Sequence, residues 1–219
     1  MTPSPLYASF RQALSEAWAS GAGILLPIGF FTGTAMLVPL TLGDEAETLA
    51  KIGPGVLWLA LALASLVTLE RVFQADLQDG ALDLWAQEET SISLIALTKT
   101  MAHWFISGAP LVLMSPVLGR LLGVPFEQMV PAMLAYGMGG LTFFLWGGVA
   151  AALAAGVARA GLLIALIAIP FFVPAIIFGT LSLSEGFDGS AILFLGASTL
   201  FALGVAPAAM GAALRLAAE

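Results

Sequence analysis

Gly161–Gly179 reads GLLIALIAIPFFVPAIIFG. No charge and no hydroxyl interrupts it. As a helix it rises about 1.5 Å per residue, which brings it close to the ~30 Å hydrocarbon thickness of a bilayer. Pro170 and Pro174 lie inside it. Prolines are tolerated in membrane helices because neighbouring helices satisfy the freed backbone groups; a structural kink is the plain reading of each. The rest of the chain has the same character. Of its 219 residues 60% are hydrophobic and 10% charged, and the mean hydropathy is +1.02. A soluble domain carries about 25% charged residues. So short a chain has no interior able to hide this much apolar surface, which predicts an all-α integral membrane protein.

A spanning helix needs about 20 mostly apolar residues. Six segments qualify, roughly 21–42, 53–70, 96–119, 128–156, 160–182 and 190–214. They form one transmembrane domain over 1–219. The first apolar run, Gly21–Leu42, is longer than a signal-peptide core of about 7–15 residues, and polar residues precede it, so it reads as a retained span. Six spans put both termini on one side. If that side is the cytoplasm, the inner segments carry Arg11, Arg71, Lys99, Arg159 and Arg215, and the outer loops only Lys51 and Arg120. The excess of inner positive charge favours cytoplasmic termini.

Before the first span, Leu6, Phe10, Leu14 and Trp18 recur every four residues, with Arg11, Gln12, Ser15 and Glu16 off that stripe. Ser4 and Pro5 supply an N-cap and a first helical position. Residues 1–20 therefore read as an interfacial helix, the alternative being an extension of span one. In the fourth span, Gly147, Ala151 and Ala155 repeat at four-residue spacing, as do Gly148, Ala152 and Gly156. Such faces allow close helix approach, within this chain or with another.

Several chemistries are excluded. The chain has no cysteine and one histidine, which removes disulfides, thiolate metal sites and multi-histidine centres. A formal charge of −7 argues against nucleic acid. No phosphate-binding G-x-x-x-x-G-K-[ST] and no hydrolase or zinc-protease motif occurs. Except for His103 and Lys99, no ionisable residue falls deep inside a span, and these two sit near the start of the third, where long polar side chains reach the interface. A carrier driven by its own ion gradient usually holds ionisable groups at mid-membrane, so no such engine is evident. His103, beside Trp104, is either a haem ligand or an interfacial or hydrogen-bonded anchor. No cofactor is assigned to this chain.

One stretch breaks the pattern. Leu69–Glu89, LERVFQADLQDGALDLWAQEE, holds Glu70, Arg71, Asp76, Asp79, Asp83, Glu88 and Glu89, seven of the chain's 21 charged residues. Phe73, Leu77, Ala81 and Leu84/Trp85 repeat at helical spacing, and Asp76, Asp79 and Asp83 share another sector, with a break available at Gly80. Thr90, Ser91 and Ser93 offer caps for span three. A helix meant for anionic lipid carries Lys and Arg on its polar face; this one carries six acids and one base. It suits a protein groove with apolar depth and a basic rim, or else a solvated acidic loop. Phe73 and Trp85 are the anchor candidates. Glu70, Asp76 and Asp79 are rim candidates, and Arg71 has Glu70 or Asp76 within local reach.

SLVTLERVFQADLQDGALDL (Ser65–Leu84) and LTKTMAHWFISGAPLVLMSPVLGRLLG (Leu97–Gly123) closely resemble the haem exporter protein B family. The matching positions are Leu69, Glu70, Arg71, Val72, Phe73, Asp76, Asp79 and Gly80; then Lys99, Ala102, His103 and Trp104; then Gly108, Pro110, Leu111, Leu113 and Pro116. Gly161–Gly179 matches in character. The chain departs from the family pattern at WAQEETSIS (Trp85–Ser93), where a leucine-rich segment ending in Ser-Pro is usual, and at Thr98, more often alanine.

The resemblance implies an ABC-2-like permease of the bacterial inner membrane, multi-pass and homodimeric, acting in cytochrome c maturation. An ATP-binding ABC subunit would dock from the cytoplasm and carry the ATP. Residues 70–95 would be its coupling segment, with Glu70, Arg71, Phe73, Asp76, Leu77, Asp79, Gly80 and Trp85 as coupling residues, and His103 and Trp104 as a haem or interface pair. Other implied partners are a haem-handling membrane subunit, a small helper protein and a periplasmic haem chaperone. Haem enters as substrate, or ATP turnover releases the loaded chaperone. This chain would be a non-catalytic subunit. Rival readings are a permease for another substrate and a membrane haem-assembly scaffold.

Overall fold

A computed structural model describes residues 7, 10–15, 22–43, 45–81, 85, 91–157, 160–187 and 189–217. Among the described residues six helices are long and apolar enough to cross a membrane: Ala22–Leu42, Ala46–Leu69, Ile92–Leu121, Phe126–Leu153, Ala160–Ser184 and Ala191–Ala217. No strand occurs among the described residues. The chain is an all-α integral membrane protein.

The fourth span is the hub. It packs against the second, third, fifth and sixth. Lipid tails are as apolar as leucine, so membrane helices gain by close packing rather than by hydrophobic exclusion. The glycines of the fourth span provide that closeness. A Cβ on Gly147 would stand 2.1 Å from a Leu69 methyl of the second span. One on Gly148 would stand 2.9 Å from Met210 Sδ of the sixth span and from Thr100 Oγ1 of the third. Both small-residue faces thus find partners within the same chain. The Thr142 and Thr199 hydroxyls meet at 2.9 Å between the fourth and sixth spans. The first and fifth spans are peripheral: only 17% and 22% of their most apolar windows are buried inside the chain, against 56% for the second and fourth.

Two spans start earlier than their apolar letters indicate. The second begins at Ala46 rather than near 53, and Pro54 lies inside it. Residues 46–52 contain Glu47 and Lys51, which hide the helix from a hydropathy reading. Packing holds them helical. A Cβ on Gly53 would lie 2.2 Å from the Leu122 carbonyl, and one on Gly123 would lie 2.9 Å from Ala50 Cα. Gly123 is also at φ +85°, a left-handed conformation natural only to glycine. The third span begins at Ile92 rather than 96, with Ser91 as N-cap. It runs as α-helix to His103, passes through a π-helical turn at Trp104–Gly108, and resumes as α-helix from Ala109 to Leu121. The fourth span ends at Leu153, short of 156.

Near the N-terminus, residues 10–15 are helical, with Phe10 and Leu14 half-buried and Arg11, Gln12 and Ser15 exposed. Ser4, Pro5, Leu6, Glu16 and Trp18 lie outside the described residues.

Candidate functional site: the segment after the second span

The second span ends at Leu69, and Glu70–Phe73 form a turn. A short helix follows, Gln74–Gln78. It stops at Gly80, whose φ of +71° is the left-handed ending that glycine adopts without strain. The break that the sequence offers at Gly80 is thus where the short helix stops; the departure from the expected amphipathic helix is the turn at Glu70–Phe73 before it. Trp85 is helical again. Asp83, Leu84, Glu88, Glu89 and Thr90 lie outside the described residues.

The apolar side of this segment faces its own bundle. Phe73 is 1% exposed and Val72 is buried, while Leu77 and Trp85 are half-buried against the same core. Phe73 is thus no surface anchor. It serves to seat the segment. Asp76 is also buried, and its carboxylate pairs with the Lys99 ammonium of the third span. The expectation that Asp76 lines a rim, and that Lys99 reaches for the interface, is corrected by this pair. A charge of either sign is costly away from water unless matched, so the two meet inside. The Lys99 Nζ also lies 5.3 Å from the centroid of the Trp85 ring, within cation–π range. Arg71 and Asp79 are exposed, and Glu70 is partly so.

His103 is the hydrogen-bonded anchor of the two readings. Its Nε2 lies 2.9 Å from the Thr68 carbonyl. A carbonyl only accepts, so Nε2 carries the proton and donates. Thr68 belongs to the last turn of the second span, where carbonyls lack a full helical complement. His103 thus caps that helix from the side, with its ring 5.8 Å from that of Phe144. The nitrogen most often used to bind haem iron is occupied. Trp104 is half-buried at the start of the π-helical turn.

A cleft of about 250 Å³ opens beside the segment, lined by Glu70, Gln74 and Leu77 on one side and by Ala151, Ala154 and Gly156 on the other. Pockets for small molecules run about 300–1,000 Å³, so this one is smaller than such a site. Sequence reasoning missed two contributors to this site, the Thr68 carbonyl and the pairing of Lys99. A lone lysine in an apolar helix calls for a counter-charge, and Asp76 was the available one. The Thr68 carbonyl has no such signal.

The motif residues on either side of these contacts, Leu69–Gly80 and Lys99–Trp104, fall within a match to one family model, CcmB protein, over residues 5–217. The chain belongs to the CcmB protein family. It is 38% identical over 210 residues to heme exporter protein B of Paracoccus denitrificans, covering 93% of this chain and 95% of that protein. Against heme exporter protein B of Pseudomonas aeruginosa it is 36% identical over 194 residues, 87% of each. Against that of Escherichia coli K12 it is 34% identical over 212 residues, 94% and 96% of the two chains. The likeness runs almost end to end, so all six spans fall within the CcmB protein match.

Proposed function

We propose that this chain is the membrane permease subunit of an ABC complex that serves cytochrome c maturation. The name shared by its relatives, heme exporter protein B, supports a task in haem export. The observation that carries the coupling role is the seated polar segment. Glu70, Arg71 and Asp79 sit at the surface of an element whose inner face is locked to the second and third spans. A partner can shift a conformational equilibrium only through differential contact with its states, and this segment offers contact outside and rigid attachment inside. An ATPase subunit docks there from the cytoplasm. The distribution of Arg and Lys supports cytoplasmic termini in the inner membrane.

Two mechanisms follow. In one, haem crosses as substrate. In the other, ATP turnover reshapes a complex containing a haem-handling subunit, a small helper and a periplasmic chaperone, so that the loaded chaperone leaves. The engagement of His103 Nε2 with a backbone carbonyl favours the second. Two copies of the chain per complex agree with the lipid-side exposure of the first and fifth spans.

The test is isolation of the native complex in mild detergent with identification of its subunits by mass. An ATPase subunit and a second copy of the chain are expected. Recovery without an ATPase, or an ATPase rate indifferent to this chain, would remove the coupling role and leave the scaffold reading.

A further inference from the structure

Lys99 and His103 are four residues apart on one helix, so they lie on the same face, one turn above the other. One holds the end of the second span and the other holds the segment that follows it. His103 donates to the Thr68 carbonyl, just before that segment begins. Lys99 binds the Asp76 carboxylate, inside its short helix. The turn between these points is thereby pinned at both ends to a single face of the third span. We propose that this two-point clamp is the positioning device that passes motion of the segment into the third span. The proposal rests on the reading that an ATPase docks on this segment.

Stability alone does not account for the pair. Replacing a buried ion pair by apolar side chains is often neutral or stabilising, whereas removing one partner is costly. Such a pair is therefore closed or expensively open, with little in between, which is what a stiff link requires. Its position matters too. Lys99 stands seven residues into the third span, about 10 Å from its start at 1.5 Å per residue. Five residues further on, the helix changes register into the π-helical turn Trp104–Gly108. Turns of this kind occur often at functional sites. This one is tightly held: a Cβ on Gly108 would lie 2.7 Å from Trp104 Cδ1 and 2.9 Å from Phe144 Cε2 of the fourth span. A push on the segment thus arrives immediately before the π-helical turn of the third span and beside the hub helix.

The test uses the full complex in a strain lacking its own copy of this chain. The variants are Asp76→Asn, Lys99→Met, the exchanged pair Asp76→Lys with Lys99→Asp, and the uncharged pair Asp76→Leu with Lys99→Met. Three readings are taken: chain level in the membrane, ATPase co-purification, and yield of c-type cytochrome by haem staining. The single variants are expected to keep the ATPase and lose cytochrome yield, and the exchanged pair to recover yield. Full yield from the uncharged pair would overturn the proposal, since apolar packing would then suffice. Loss of ATPase co-purification in the single variants at normal chain level would overturn it as well, by making Asp76 part of the docking surface. If the single variants are absent from the membrane, Asp76→Cys with Lys99→Cys decides. The native chain has no cysteine, so within this chain a thiol cross-linker has only these two positions to join, and the bridged product is identified by mass. Recovery of yield on bridging supports the clamp, and continued loss in a bridged, ATPase-bound complex overturns it. Failure of the unaltered chain to bring down any ATPase is a separate result that strikes the docking reading. In that case a higher thermal stability of the exchanged pair than of either single variant still supports the clamp as a physical link, and equal stability overturns it.

Discussion

The indole of Trp58 lies directly on the bare backbone of Gly139: a Cβ there would stand 2.2 Å from Trp58 Cζ3. The same ring meets Gly179 on its other edge, where a Cβ would stand 2.2 Å from Cζ2. Trp58 of the second span is fully buried between the fourth and fifth. Overpacking of a filled core costs about 1–3 kcal/mol. Gly139→Ala and Gly179→Ala are each expected to lower the unfolding temperature in detergent by an amount matching that range. Gly33→Ala, with nothing within 4 Å of the new methyl, is the control and should leave it unchanged. Size-exclusion profiles after stepwise heating make the comparison.

His103 separates a structural role from a haem-binding one. His103→Ala removes the shorter of the bonds to the Thr68 carbonyl and leaves the one from the Arg71 backbone N–H at 3.4 Å, a loss of about 0.5–1.5 kcal/mol for one hydrogen bond. His103→Gln keeps an N–H donor and should recover much of that. An isolated chain showing a Soret band that disappears in both variants would establish iron ligation instead.

The inner and outer sides of the polar segment should fail differently. Phe73→Ala removes a buried aromatic ring, at about 3–5 kcal/mol, and is expected to reduce the amount of folded chain. Asp79→Lys reverses an exposed charge and should leave chain level unchanged while weakening ATPase capture. Normal capture by Asp79→Lys would take that residue out of the docking surface.

Thr199 meets Thr142 across the fourth and sixth spans. Interhelical hydrogen bonds in membrane proteins average about 0.6 kcal/mol. Thr199→Val, nearly the same shape, should therefore shift the unfolding temperature by a small but measurable amount. The Thr142→Val, Thr199→Val double variant should cost less than the two single changes added together.

The spans were legible because a bilayer imposes a length and a composition that any reader of letters can apply. Gly161–Gly179 needs no partner to be recognised. The start of the second span was not legible, since Glu47 and Lys51 look like loop and only contact with Leu122 and Gly123 makes 46–52 helical. The polar segment was legible as a break in the oil and as a family signature. Its direction was not. Periodicity separates an apolar side from an acidic side but does not say whether the apolar side meets a stranger or its own bundle.

What the letters determined by themselves was a helical membrane protein with one polar segment after the second span, because hydropathy and local spacing are properties of neighbours in the chain. What only the tertiary structure decided was the use of Phe73, Asp76, Lys99 and His103. Asp76 and Lys99 are 23 residues apart in sequence, and Thr68 and His103 are 35 apart. Contacts at such separations are set by how helices pack, and packing places a buried charge or a helix-end carbonyl beside whatever can satisfy it.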